Sequence, residues 1–362
     1  MLKTTTTAKL AFYARFALIL HAVFLIVFFL YIGREIIIPL FFSFLIAVLL
    51  LPLESFLERK KVPRGIACAI PILLFIIIIT GLMFFFTKEL GSFSKELPQV
   101  KEKFADLLQN ARTWISNKYH IDDNKQKDYI AKSSHDIISF GIGTLGTTFV
   151  GALELSVISI FCLIFSFFIL YYKALLRQFI FSFFTREQCI EVKEVVKNIK
   201  VVINGYMVGL LAEMGLIILL SFTALSLLGI KYALLFSLLA AVLNLIPYFG
   251  IYTATAISMF IIFAQGTGNQ ALEAGGVFIA IHLIDSNFLL PKIVGGRVKM
   301  NPFIILVAVF AGKLLWGIPG MFLFIPMIAI FKIISESIKE FKPWAILLGE
   351  EKKVHGKVEI EE

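Results

Sequence analysis

Apolar residues in this chain fall in solid blocks, not in stripes or strict alternation. The blocks lie at about 16–32, 36–53, 65–86, 150–172, 206–228, 232–264, 275–290 and 302–332. A helix needs about 20 apolar residues to cross the hydrocarbon core. Membrane barrels show short alternating segments instead. The pattern therefore predicts an all-α integral membrane protein with about eight transmembrane segments. Two blocks, 232–264 and 302–332, are too long for one crossing, and each is interrupted near its middle. The interruptions read Ile246-Pro247-Tyr248-Phe249-Gly250 and Gly317-Ile318-Pro319-Gly320. Proline removes a helical hydrogen bond and glycine loosens the backbone. Each block is thus expected to fold back as a broken hairpin, with tips at Pro247 and Gly250 and at Gly317, Pro319 and Gly320.

Charge supports the fold-back. If both broken blocks are hairpins, the basic groups around Lys3, Lys9 and Arg15, Arg59 to Arg64, Lys173 to Lys200, Lys292 to Lys299 and Lys332 to Lys357 share one side. Basic residues in short loops mark the cytoplasmic face, so both termini are expected to be cytoplasmic. Single kinked crossings would instead put Lys292, Arg297 and Lys299 outside. The topology then contains two units of opposite orientation, each a span followed by a hairpin. A shift of 72 residues lays Ile246 on Ile318, Pro247 on Pro319 and Glu213 on Asp285. An inverted repeat with broken helices is the sequence mark of a secondary transporter's binding region.

The remaining segments divide as follows. An N-terminal three-helix region occupies 1–86, and a polar extracytoplasmic insertion covers 87–149. Within the insertion Leu90, Phe93, Leu97, Val100, Phe104, Leu107, Ala111 and Trp114 recur at spacings of three and four, which predicts a small helical unit. A fourth span and a cytoplasmic amphipathic helix fill 150–204. That helix opens with Thr185 and Gln188 at capping-box spacing. The inverted-repeat core is 205–335, and a charged tail follows at 336–362.

Composition narrows the function. The chain of 362 residues is 59% apolar and only 16% charged, whereas soluble domains are about a quarter charged. Nucleic-acid binding, secreted disulfide scaffolds and cytosolic metabolism are excluded. The three cysteines suggest no disulfide framework, and the five histidines are too scattered for a metal centre. No GxxxxGK[ST], HExxH or GxSxG motif occurs, so neither an ATP-driven pump nor a familiar hydrolase is indicated, and nothing calls for a cofactor.

Charged groups at membrane depth are costly and mark function by default. Asp285 and Glu213 are the acidic residues well inside the two repeat spans, and a buried carboxylate suits reversible proton binding. His282, Ser286 and Asn287 flank Asp285. Lys313 lies one turn before the second tip and is expected to pair with Asp285 or Glu213. Asn244, three residues before the first tip, offers an amide. These six residues (Asp285, Glu213, Asn287, His282, Lys313 and Asn244) form the expected substrate or ion-coupling site. Each also has a plainer reading as a structural hydrogen-bonding group.

LNLIPYFG at 243–250, DSNFLLPKIVGGRVKMNP at 285–302 and GIPGMFLFIPMIAIFK at 317–332 resemble the autoinducer-2 exporter family. The likeness runs through essentially the whole chain, and its motifs are specific in the C-terminal half. Members of that family commonly carry Glu where this chain has Asp285, which preserves a carboxylate. The resemblance implies a bacterial inner-membrane transporter and a homo-oligomer. Some members are credited with exporting autoinducer-2, others with sodium or lithium export in exchange for protons. The expected function is export of a small polar solute coupled to a proton or sodium gradient. Sodium/proton antiport is the alternative, and a membrane-embedded enzyme is a more distant one.

Overall fold

A computed structural model describes residues 12–95, 158–245, 250–265, 268–288 and 300–350, together with Pro98, Glu102, Asp106, Gln109, Asn110 and Thr113. Among the described residues the chain is helical, with no strand beyond one isolated bridge between Met300 and Gly349. The helices are α1 (Phe12–Ile32), α2 (Arg34–Arg59), α3 (Arg64–Ser94), α4 (Ile158–Tyr171), α5 (Lys173–Ser182) and α6 (Gln188–Leu227). They continue as α7 (Ala233–Leu243), α8 (Gly250–Gln265), α9 (Gly268–Ile284), α10 (Pro302–Ser337) and α11 (Lys342–Leu348).

Five helices are long and apolar enough to cross a membrane, and α4 with α5 adds a sixth apolar pair bent by 69°. The expected count of eight is therefore not reproduced by helix length alone. Most of the predicted insertion lies outside the described residues. Its proposed start at 87 falls inside α3, which runs unbroken to Ser94. There Phe93 is buried and meets Tyr232 edge-on, so the end of α3 is fastened to the start of α7. The six described positions between 98 and 113 are helical, as the heptad spacing predicts.

A single helix runs across the expected boundary at 204/205. The polar stretch after 185 and the following span are one helix, α6, of 40 residues. Its predicted start is reproduced: the Thr185 N–H donates to Gln188 Oε1 at 3.1 Å, and the Gln188 N–H donates to Thr185 Oγ1 at 3.4 Å. Such a reciprocal pair satisfies donors that a helix start leaves free.

α6 carries two separate cores. Along its C-terminal half, Ile217 and Leu225 pack with Phe236 of α7, Ala254 of α8 and Phe278 of α9. Along its N-terminal half, Ile203, Tyr206 and Met207 pack with Leu45 of α2 and with Val309, Trp316 and Leu323 of α10. A third cluster joins Leu50 of α2, Cys68 of α3 and Leu170 of α4. In that bundle Ser166 Oγ donates to Ser43 O at 3.2 Å, a use of small polar residues that lets membrane helices approach closely.

Both broken blocks fold back. α7 and α8 pack side by side, and a Cβ on Gly250 would overlap the Leu243 carbonyl. Pro247 lies outside the described residues. In α10 the backbone leaves helical geometry at Gly317, with φ 65° and ψ −142°. A straight helix of 36 residues would be about 54 Å long. Instead Gly312 and Gly320 lie backbone to backbone, and Ile304 shares a cluster with Ala329. Length alone makes α10 one crossing, but these contacts make it two antiparallel arms turning at Gly317. Trp316 fixes that tip by donating its indole N–H to Leu30 O at 2.9 Å.

The equal packing that an inverted repeat would suggest is not reproduced. α7 lies along α6, whereas α10 packs on α6 and α2 and makes no extensive contact with α9 among the described residues.

One polar cluster had no local sequence signal. Glu54, fully buried near the end of α2, receives Lys173 Nζ at 2.7 Å on both carboxylate oxygens. The same ammonium reaches Glu58 Oε2 at 2.6 Å, and Arg64 Nε lies 3.8 Å from Glu58 Oε1. Removing one member of a buried pair strands the other, at a cost of about 3 kcal/mol. Lys173→Met is therefore expected to lower thermal stability in detergent, while Lys173→Arg keeps most of it. Scanning fluorimetry of the three proteins checks this; an unchanged Lys173→Met would mean the cluster is solvent-screened.

Candidate functional site

Three helices bring the site together where the two cores of α6 meet. Glu213 stands midway along α6, 3% exposed, and Asp285 just beyond the end of α9, 4% exposed. Asn244 caps the C-terminal end of α7, immediately before the first hairpin turn. Its amide donates to Glu213 Oε1 at 2.9 Å and to Asp285 Oδ2 at 3.3 Å. One NH2 group thus ties two buried carboxylates together across the hairpin entrance.

The local backbone explains how Asp285 reaches this point. Residues 285–288 form a π-helical turn at the end of α9, a wider winding that is frequent at functional sites. It rotates Asp285 inward while Ser286, Asn287 and Phe288 remain exposed. Glu213 Oε2, Asp285 Oδ1 and His282 Nδ1 are buried and have no hydrogen-bond partner among the described residues. Buried polar atoms are ordinarily paired, and here the two carboxylates each keep one oxygen without a partner beside the shared amide. The His282 ring meets Tyr252 of α8 edge-on at 5.3 Å, which places it beside the hairpin's second arm.

Of the six expected coupling residues, Glu213, Asn244 and Asp285 are joined, and His282 borders them. Two are not. Asn287 turns back on its own helix, donating to Leu283 O at 2.8 Å, where a helix end leaves carbonyls unpaired. Lys313 is exposed and makes no ion pair with either carboxylate among the described residues. The physical reason is the packing of α10: its hairpin belongs to the α2 side of α6, while the carboxylates face the α7–α9 side. Of the expected tips, Gly250 touches the Leu243–Asn244 backbone next to the site, whereas Gly317, Pro319 and Gly320 form the turn of the other hairpin.

Residues 18–340 match the pattern of the AI-2E family transporters. The chain belongs to the AI-2E transporter family. Several relatives match over most of both chains. The putative transport protein YhhT of Escherichia coli K12 is 22% identical over 319 residues, covering 88% of this chain and 89% of its own. YrrI of Bacillus subtilis 168, also a putative transport protein, is 25% identical over 315 residues, 83% and 86% of the two chains. The AI-2 transport protein TqsA of Escherichia coli K12 is 24% identical over 319 residues, 88% and 90%. An AI-2E family transporter is a multi-pass membrane protein handling solutes across a bilayer. That fits apolar helices carrying a buried polar cluster better than it fits an enzyme.

Proposed function

We propose that this chain is a secondary transporter of the bacterial inner membrane that exports a small polar solute, of the kind represented by autoinducer-2. Glu213, Asn244 and Asp285 couple that movement to a proton or sodium gradient. The carrying observation is the shared amide: two buried carboxylates bonded to one neutral donor. Burying an unpaired charge is costly, and a second anion beside it adds repulsion of about 3 kcal/mol at 5 Å and an effective dielectric of 20. A neutral amide cancels neither charge, so a proton or a cation completes the cluster. A ligand hydroxyl can replace Asn244 as the shared donor, and this links solute binding to the charge state of the pair.

The matched positions Glu213/Asp285 and Pro247/Pro319 support an inverted relation between the two halves. The name of TqsA supports autoinducer-2 as the first solute to test. Sodium/proton antiport is the second reading, favoured by the two carboxylates, whose oxygens are ligands that hard cations prefer. Both termini are assigned to the cytoplasm from the basic loops, and a homo-oligomer from the resemblance in sequence.

The deciding experiment follows labelled autoinducer-2 and lumenal pH together in proteoliposomes, with and without a sodium gradient. Solute flux accompanied by proton or sodium flux supports the exporter. Sodium-driven proton flux without solute movement supports the antiporter. No gradient-dependent flux of any of the three overturns both.

Asn244→Leu keeps the side-chain size and removes the donor, leaving two carboxylates with nothing between them. Gradient-driven flux is expected to fall about tenfold, the equivalent of one hydrogen bond to a charged group at 1.5–3 kcal/mol. Initial rates at saturating gradient check it.

A further inference from the structure

The segment directly after α4 has an unusual surface. α5 leaves the end of α4 at 69°, and none of its residues is buried. Yet Leu175, Leu176, Phe179, Ile180 and Phe183 follow one another at helical spacing and stand on one face, Phe179 60% and Phe183 70% exposed. Arg177 and Gln178 occupy the other side, with the less exposed Phe181 between them. α5 packs extensively on no other helix among the described residues. A ten-residue helix is about 15 Å long, too short to cross a bilayer, and a free apolar stripe in water would be costly.

We infer that α5 is an interfacial helix, lying in the plane of the cytoplasmic leaflet with its Leu175–Phe179–Phe183 face in the acyl boundary and Arg177 toward the headgroups. Three observations carry this. α5 follows directly on α4, an apolar helix whose Ile160, Phe161, Ile164 and Phe168 are exposed as lipid-facing side chains are. The bend turns it away from the direction of that span. A broad apolar face with Arg177 and Gln178 on the opposite side is the pattern of helices that lie on membranes.

The bend is also held in place. Lys173, the first residue of α5, is the ammonium gripped by Glu54 and Glu58 of α2. At the far end, Cys189 Sγ of α6 lies 3.6 Å from Phe181 O and 3.8 Å from Phe184 O. α5 is therefore pinned to α2 at its start and to α6 at its end, and only its apolar face is left for the lipid. Through α6 the depth of Glu213 is referenced to the headgroup layer.

The test is spin labelling of the full chain in vesicles of phosphatidylethanolamine and phosphatidylglycerol. Cys189→Ser removes the accessible thiol, since Cys68 and Cys162 are buried. Single cysteines then replace Leu175, Arg177, Gln178, Phe179 and Phe183 in turn. Collision with oxygen, which concentrates in lipid, is compared with collision with a nickel chelate, which stays in water. Labels at 175, 179 and 183 are expected to favour oxygen several-fold, and labels at 177 and 178 the chelate. Equal chelate access at all five positions overturns the inference, because α5 is then in solvent. Shielding of 175, 179 and 183 from both reagents also overturns it, because a protein surface then covers the face. The contrast is expected to shrink in Lys173→Met and to survive in Lys173→Arg; its survival in Lys173→Met overturns the pinning by α2.

Discussion

Asp285→Asn is expected to abolish gradient-coupled transport, at least a tenfold loss of initial rate, while the protein remains folded and monodisperse. The substitution keeps the shape of the side chain and its place at the end of α9. It removes the only ionisable group that the π-helical turn directs inward, and it sets a second amide against Asn244, which already donates. Two carboxylates around one donor can exchange a proton or cation for a ligand; one carboxylate is simply satisfied by Asn244, and the reason for a coupled ion disappears. Glu213→Gln is expected to act in the same direction, because Glu213 receives the shorter of the two bonds. The pair together should be little worse than either alone, since the two residues act as one unit. Flux at several fixed gradients, with size-exclusion profiles beside it, separates coupling from folding. Wild-type rates in Asp285→Asn would make the cluster a structural tie between α6, α7 and α9.

The second large effect concerns the backbone contact inside α10. A Cβ on Gly312 would overlap the carbonyl of Gly320, and a Cβ on Gly320 would overlap the carbonyl of Gly312. No flexible side-chain end is available to move aside. Gly312→Val and Gly320→Val are each expected to cost about 3 kcal/mol or more by forcing the arms apart, and to leave little folded protein in the membrane. Gly317→Ala should be milder yet clearly destabilising, by about 1–3 kcal/mol, since φ 65° with ψ −142° is a region reserved for glycine. Gly276→Ala supplies the contrast. It is helical, and a Cβ there meets nothing within 4 Å, so it should be neutral or gain up to about 1 kcal/mol. Thermal midpoints of the four proteins in one detergent give the ranking. Equal stability of Gly320→Val and Gly276→Ala would refute the folded-back arms.

The helical membrane class and both chain reversals were legible because their causes are local. A run of apolar residues has one stable form in lipid, and Pro or Gly at its centre breaks it there. The meeting of Glu213, Asn244 and Asp285 was half legible. Cost at membrane depth singles out each residue, but only the fold can say that one amide serves both carboxylates. Lys313 was misplaced for an instructive reason. Nearness to a hairpin tip says how deep a residue sits, not which side of α6 its hairpin chooses. Asn287 failed on a finer scale, because a single turn of wider winding separates the inward Asp285 from an outward neighbour two residues on. The Glu54–Lys173 pair was illegible, its partners being 119 positions apart with no periodic pattern to link them.

The uninterrupted course of α6 has mechanical meaning. At 40 residues it is a shaft of about 60 Å, seated at one end among α7–α9 and at the other among α2 and α10. No proline lies within it, and it is wound as one helix across Gly205, Gly209 and Gly215. Gln188 and Glu213 thus stand on one continuous axle, which joins the two halves of the molecule end to end.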